Sequence, residues 1–113
     1  MITVLAFMAA AVAGAMARAE AGRRWNRHDG FPVGTLSVNV TGSFLLGLLT
    51  DVAPPVLTVV GVAGLGAYTT FSSFARDAVA LAEQRRIGLS AVYIGATCVL
   101  GVLAAAAGVA IGT

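Results

Sequence analysis

Charged residues are scarce in this sequence of 113 residues, where Asp, Glu, Lys and Arg together make up 11%. Soluble domains carry roughly 25% charged residues, so there is too little charge here to coat a water-soluble globule. The charges are also clustered, because none occurs in residues 1–17, 30–50, 52–75 or 87–113. A membrane-spanning helix needs about 20 mostly apolar residues. The four charge-free blocks therefore predict one membrane domain, residues 1–113, with four transmembrane helices.

The strand pattern of alternating apolar and polar residues is also absent, and only helices or closed barrels satisfy backbone polar groups in lipid. We therefore predict an all-α integral membrane protein. Its spans are predicted at about residues 2–17, 32–50, 56–80 and 89–111. Arg18 should begin a basic joint after the first span, and Pro54-Pro55 should separate the second from the third. The glycine-rich stretch 64–70 predicts a break in the third span.

A single cysteine, Cys98, excludes an internal disulfide and a cysteine metal cluster, and we expect it to pack inside the fourth span. His28 has no second ligand at metal spacing, so we expect a solvated loop residue. No nucleophile–base pair and no glycine-rich phosphate loop is present, which indicates a protein without enzymatic chemistry. The basic pI of about 9.3 comes from loop arginines, which are normal at a membrane face and indicate no nucleic-acid partner.

Polar side chains recur at helical spacing inside the predicted spans, so that each set shares one helix face. These stripes are Thr35, Asn39 and Ser43 in the second span, Ser90, Tyr93 and Thr97 in the fourth, and Thr69, Thr70, Ser72 and Ser73 around Phe71 and Phe74 in the third. Such groups often only join helices by hydrogen bonds, and they also line polar pathways. Three stripes in one short chain favour a pathway.

Carboxylates are missing from the interior of every predicted span, since Asp51 and Asp77 lie at span ends and Glu20 and Glu83 in joints. Cation and proton transporters usually hold an intramembrane acid. The stripes offer hydroxyls, one carboxamide and the electropositive edges of phenyl rings instead, which suits a small anion. Arg18 is placed either to hold anions at a pore mouth or to reach the interface as a long amphipathic side chain.

Three segments resemble the signature of the Fluc (CrcB) fluoride channels. They are Phe31–Leu36 (FPVGTL), Asn39–Phe44 (NVTGSF) and Gly66–Phe74 (GAYTTFSSF), and the similarity covers essentially the whole chain. The resemblance implies passive fluoride export across the plasma membrane. It also implies a dual-topology dimer, in which two antiparallel four-helix subunits form two pores.

The resemblance assigns roles by position. Asn39 matches the pore-lining asparagine, Phe71 and Phe74 match the phenylalanines whose ring edges face the ion, and Arg18 matches the arginine closing the first span. The matched hydroxyl and polar-track positions are Ser72, Ser73, Tyr93 and Thr97.

The resemblance further implies a structural sodium ion at the centre of the dimer, bound by backbone carbonyls of Gly66 and Thr69. Three positions depart from the family pattern. Ala67 replaces the second of two glycines, Asp77 replaces a glutamate, and Gly101 stands where a further hydroxyl is common.

Two alternatives of other classes remain open. A small multidrug-resistance exporter has a similar length and span count, but it needs a glutamate in its first span to exchange protons for cations, and residues 1–17 contain no acid. A non-transporting structural subunit would use the polar stripes only to join helices. Fluoride flux separates the three.

Arginine is distributed unequally between the joints. Arg18, Arg23, Arg24 and Arg27 precede the second span, and Arg76, Arg85 and Arg86 precede the fourth, while the second joint and both tails contain no Lys or Arg. Short loops rich in Lys and Arg stay cytoplasmic, so we expect both termini outside. An antiparallel dimer then requires a related partner of opposite bias, or a homodimer that inserts despite its bias.

Overall fold

The computed structural model describes residues 1–26 and 30–113, and apart from an isolated bridge between Asn26 and Pro32 these residues form no strand. The elements are α1 (Ile2–Trp25), α2 (Val33–Leu48), α3 (Pro54–Val56), a π-helix π1 (Leu57–Leu65), α4 (Gly66–Tyr68), α5 (Phe71–Glu83) and α6 (Ile87–Gly112). The predicted all-α fold with a broken third span is confirmed. The prediction for His28 lies outside the described residues.

Helix α1 continues past Ala17 through Arg18 to Trp25, about two turns beyond the predicted end of the span. Alanine, arginine and glutamate all favour helix, so loss of apolar character did not end it. Glu20 accepts hydrogen bonds from Arg23 and Arg24 at 2.6 and 2.5 Å. Arg18, Arg23 and Arg24 therefore lie on the helix and not in a joint beyond it.

Three helical stretches are long and apolar enough to cross a membrane: α1, the composite Pro54–Glu83, and α6. The fourth, α2, is apolar but has only 16 residues. At 1.5 Å per residue it is about 24 Å long, somewhat shorter than the roughly 30 Å of a bilayer's hydrocarbon core.

The most extensive helix contact joins α2 to α6. It depends on close approach of small residues, since a Cβ added to Gly108 would lie 3.1 Å from the Gly47 Cα and 3.0 Å from the Leu48 nitrogen. Small residues at such crossings let helix backbones pack closely in membranes. Helix α1 packs on π1 and α4, while α5 packs on α6.

Few side chains are buried within the single chain. The core cluster consists of Ala78, Leu81 and Tyr93, with Phe31 and Phe74 packed against it. The outer face of α6 is apolar and exposed, for example at Val99 and Val102, which are 58% and 68% exposed. Apolar surface on this scale marks contact with membrane or with other protein.

The two ends of the bundle are chemically different. At one end the Thr35 hydroxyl donates to Asp77 and the Ser90 hydroxyl donates to the Ala78 carbonyl, so the starts of α2 and α6 meet α5. At the other end Gly112 lies against Leu48. The first and third joints therefore share one end, and the second joint shares the other with the carboxyl terminus.

Candidate functional site

The third span is interrupted at Thr69 and Thr70. The backbone there is extended, with ψ of 158° at Thr69 and φ, ψ of −151°, 117° at Thr70. Gly64 and Gly66 stay helical, so the break lies at the carboxyl end of the predicted interval and its position is not fixed by the glycines.

A side chain from the neighbouring helix holds this break open. The Asn39 Nδ2 donates to the Thr70 carbonyl at 3.1 Å, and Asn39 Oδ1 accepts from the Thr70 backbone N–H at 2.8 Å. We call this pair of bonds the Asn39 clamp. It satisfies both main-chain groups of an extended residue that a helix would otherwise pair internally, and so joins α2 to the third span.

The clamp releases two carbonyl groups from helical pairing. In a continuous α-helix the N–H of Thr70 would pair with the Gly66 carbonyl, and that of Ser73 with the Thr69 carbonyl. Thr70 N–H donates to Asn39 instead, and Ser73 N–H donates to Thr70 Oγ1 at 3.0 Å, which makes Thr70 the N-cap of α5. The released oxygens belong to the two residues predicted to bind sodium.

An open groove of about 570 Å³ runs beside the break, between α2, the third span and α6. Its lining includes seven of the predicted site residues: Asn39, Ser43, Gly66, Thr69, Phe71, Phe74 and Thr97. It also includes Cys98, which is exposed, so the expectation that this residue packs inside the span is wrong. Gly101 completes the lining near Ser43, whose hydroxyl would lie 3.8 Å from a Cβ at that glycine.

A row of aromatic rings leads from the groove into the core. Phe71 is 79% exposed, and its ring centroid lies 5.9 Å from that of Phe74. Phe74 lies 5.3 Å from Tyr93, and Tyr93 meets Phe31 edge-on at 5.4 Å. The rings therefore form a continuous wall from the helix break to the end of the bundle that carries the arginines.

A second polar cluster lies at the inner end of this row, outside the groove lining. The Thr35 hydroxyl donates to Asp77 Oδ2 at 2.9 Å and accepts from Asn26 Nδ2 at 3.1 Å. The buried Tyr93 hydroxyl lies against Thr35 and Asp77, but it has no well-formed hydrogen bond to any described residue. Asn26 carried no signal in the sequence, because it follows the end of α1, is nine residues from Thr35 and belongs to no helical period.

The second-span stripe therefore divides among three places. Thr35 belongs to the inner cluster, Asn39 to the break, and Ser43 to the groove, where its hydroxyl donates to the Asn39 carbonyl at 2.7 Å. In the fourth span Ser90 only joins helices. Thr97 Oγ1, by contrast, is buried without a partner among the described residues.

Besides Thr35 and Tyr93, three predicted residues lie away from the groove lining. Ser72 is exposed, with its hydroxyl 3.3 Å from that of Thr70, and the Ser73 hydroxyl accepts from Arg76 at 3.4 Å. Arg18 is half-buried on α1, and its Nε has no partner among the described residues. No group of three or more His, Cys, Asp or Glu assembles a metal site in the described part of the chain, so a cation here would need main-chain oxygens.

Comparison with known proteins gives one family. The model for "CrcB-like protein, Camphor Resistance (CrcB)" matches residues 5–109. A protein of Agrobacterium fabrum named "Fluoride-specific ion channel FluC" is 48% identical over 73% of this chain and 71% of its own length. "Fluoride-specific ion channel FluC 2" of Geobacillus kaustophilus is 48% identical over 72% and 68%, and the FluC of Rhizobium meliloti is 47% identical over 72% and 70%.

Asn39→Leu should destabilise the protein by roughly 1–3 kcal/mol, because it leaves the N–H and carbonyl of the buried residue Thr70 unpaired. The measurement is the thermal unfolding midpoint in detergent. Thr50→Val is the control, since its hydroxyl bonds locally, to the Gly47 carbonyl three residues earlier at the end of α2. Equal midpoints for the two variants would show that the clamp does not hold the break.

Proposed function

Since this chain belongs to the CrcB family, we propose that it is a fluoride-specific ion channel of the plasma membrane, through which fluoride leaves the cell passively. The observation that carries the proposal is identity of 47–48% to three proteins named as such channels. The helices add support, because three of them are long and apolar enough to span a bilayer.

The chemistry of the groove supports an anion as the permeating species. Among the described residues that line it there is no charged side chain. It offers the edges of Phe71 and Phe74, the Ser43 hydroxyl and the unpaired Thr97 hydroxyl. A small, strongly hydrated anion needs hydrogen-bond donors and positive ring edges to replace its water.

The alternative functions fit the structure less well. The acid nearest the first span, Glu20, is engaged with Arg23 and Arg24 at the end of α1, so this carboxylate is not free to exchange protons against a cationic drug. A purely structural subunit would use its polar groups to join helices, as Ser90 does. The buried hydroxyls of Tyr93 and Thr97 make no well-formed hydrogen bond to a described residue, which favours a pathway.

The proposal includes an antiparallel dimer. The groove is open on one side, and Phe71 at its edge is 79% exposed, so a single chain encloses no pore. A second subunit covering this side would complete the wall, and an antiparallel arrangement would place one groove on each side of the dimer.

Phe71→Ile should lower fluoride efflux by about tenfold or more, equivalent to at least about 1.4 kcal/mol in the barrier. An aliphatic side chain has no electropositive edge to offer an anion. The measurement is fluoride efflux from liposomes holding the purified protein, with dimer content checked by size-exclusion chromatography. Phe7→Ile, the same replacement on the exposed face of α1, should conduct normally. Unchanged efflux in Phe71→Ile would remove this ring from the pathway.

A structural sodium ion at the dimer centre also belongs to the proposal. The carbonyls of Gly66 and Thr69 line the groove and are free of their helical partners. Hard cations take oxygen ligands, and interrupted membrane helices use freed carbonyls to bind sodium. The residues therefore fit the ion, which would neutralise the carbonyl dipoles of two facing breaks. Ala67 does not oppose this, since it remains helical and the break follows it.

Sodium should stabilise the dimer in a way that a large organic cation at equal ionic strength does not. Above the dissociation constant, each tenfold rise in sodium should add about 1.4 kcal/mol of stability, measured from the thermal midpoint. Thr69→Val should retain most of this dependence, because the proposed ligand is the main-chain carbonyl. Asn39→Leu should lose it, because the break that presents these carbonyls is then no longer held by the clamp. A wild-type midpoint insensitive to sodium would rule out the bound ion.

The arginine distribution bears on the identity of the second subunit. The described arginines all belong to the end of the bundle where α2 and α6 start, while the opposite end holds the second joint and the carboxyl terminus. Seven Lys and Arg residues against none is a strong bias, and such loops stay cytoplasmic. We therefore favour one fixed orientation and a heterodimer with an oppositely biased paralogue, beside the homodimer that inserts despite its bias.

Reporter enzymes fused to the carboxyl terminus test the orientation. A reporter active only outside the cytoplasm should give the signal, and one active only in the cytoplasm should stay nearly silent when this chain is expressed alone. A double variant, Thr50→Arg with Ala53→Arg, places cations in the second joint and should raise the cytoplasmic signal. Comparable signals from both reporters on the native chain would refute fixed orientation.

A further inference from the structure

The inner cluster contains a chain of hydrogen bonds that crosses from the end of α1 to α5 through α2. Asn26 Oδ1 accepts from the Thr35 backbone N–H at 3.0 Å, and Asn26 Nδ2 donates to Thr35 Oγ1 at 3.1 Å. Thr35 Oγ1 in turn lies 2.9 Å from Asp77 Oδ2. Gly34 provides the room, since a Cβ there would lie 2.9 Å from Asn26 Oδ1.

The protein backbone fixes the direction of this chain. The two ends of an asparagine amide are ordinarily assigned from their partners, and here one partner is a main-chain N–H, which can only donate. The oxygen of Asn26 must therefore face the Thr35 nitrogen. Its NH₂ group then faces the Thr35 hydroxyl and must be the donor in that bond, because an amide nitrogen accepts no hydrogen bond.

The hydroxyl of Thr35 has a single hydrogen. Because its oxygen accepts from Asn26, that hydrogen is available for the carboxylate of Asp77, which accepts it. Hydrogen bonds to an ionised acceptor are about twice as strong as neutral ones. Asp77 is consequently held by a donor on α2, and the orientation of its carboxylate depends on Asn26, which does not touch it.

The neighbouring phenol lies within reach of Thr35 and Asp77 but forms a well-aligned hydrogen bond with neither. The Tyr93 hydroxyl is fully buried, lies against Thr35 and Asp77, and makes no well-formed hydrogen bond to a described residue. A buried donor without a well-formed hydrogen bond is energetically unfavourable, so it favours any acceptor that can reach it. Thr97, one turn further along the same face of α6, also has a buried and unpaired hydroxyl. The hydroxyls of Tyr93 and Thr97 thus lie on one face of α6, next to the row of aromatic rings that leads to the groove. Together they can donate hydrogen bonds to an anion.

We propose that Asn26 is a positioning residue: by directing the Thr35 hydroxyl to Asp77, it prevents the carboxylate from capturing the Tyr93 hydroxyl, which then donates to the permeating anion. This inference rests on the proposed function. Without the Asn26 bond the Thr35 hydroxyl is free to rotate, Asp77 turns to the stronger phenolic donor, and the anion loses a ligand.

Asn26→Asp tests the direction of the chain with almost no change of shape. The new carboxylate still accepts from the Thr35 N–H, but it has no hydrogen to donate to the Thr35 hydroxyl and competes with Asp77 for it. Fluoride efflux from liposomes should fall about tenfold, the value of one net hydrogen bond to a charged group. The same substitution in a Tyr93→Phe protein should change efflux by less than about twofold, because the donor it acts through is already gone.

Two controls test whether the loss of efflux comes from the Asn26 hydrogen bond or only from the added negative charge. Ala19→Asp adds a carboxylate to an exposed position of α1 near the same end of the bundle and should conduct normally. Thr35→Val, which removes the hydroxyl at constant size, should give the same Tyr93-dependent loss and serves if Asn26→Asp does not fold. The inference is overturned by wild-type efflux in Asn26→Asp, by an equal loss in the Tyr93→Phe background, or by an equal loss in Ala19→Asp. Absence of fluoride efflux from the wild-type protein would instead count against the proposed function.

Discussion

The side-chain amide of Asn39 takes over both main-chain hydrogen bonds of Thr70, and the arrangement of the groove follows from that exchange. It keeps Thr70 extended, so that the Thr70 hydroxyl is available to cap α5. The cap fixes the direction in which α5 leaves the break, and with it the positions of Phe71 and Phe74. Backbone groups buried in a membrane protein must be paired, so an interrupted span needs such a partner from a neighbouring helix.

The same exchange joins two parts of the chain with different mechanical character. Helices α2 and α6 pack closely through glycine and provide a fixed wall. The third span changes from π-helix to α-helix to extended chain within residues 57–70, and each change alters the direction of its carbonyl groups. Asn39 lies on α2, one of the two closely packed helices, and bonds to Thr70 in the irregular third span. It therefore links the regular and the irregular side of the groove.

Much of this architecture could be predicted from the sequence. Scarce and clustered charge identified an all-α membrane protein, and the family motifs pointed to residues that now line one groove. The end of α1 was not predicted, because alanine, arginine and glutamate favour helix whether or not lipid surrounds them. The break lies within the predicted residues 64–70, but its exact position at Thr69 and Thr70 was not predicted. It depends on pairing between Asn39 and Thr70, 31 residues apart, which no local pattern reveals.

The polar stripes show a further limit of sequence reasoning. Spacing placed Thr35, Asn39 and Ser43 on one helix face, but it could not say that each meets a different neighbour. Periodicity also gave no reason to consider Asn26, whose partner is nine residues away and belongs to another helix. Helical spacing shows that the side chains of a stripe point in the same direction. Which residue each side chain contacts, and therefore what it does, depends on how the other helices pack against that face.

The openness of the groove has a consequence for the time before assembly. Before it pairs, a subunit exposes the hydroxyls, the amide and the main-chain carbonyls of its groove to lipid acyl chains. Acyl chains cannot form hydrogen bonds with these groups. In the proposed dimer, pairing would therefore cover these polar groups, in addition to bringing apolar surfaces together. In that dimer, assembly itself creates the pore. An unpaired subunit encloses no aqueous pathway and therefore conducts no ions. Unpaired subunits made in excess would therefore not dissipate ion gradients. Their exposed polar surface would make them substrates for membrane proteases that recognise such surfaces.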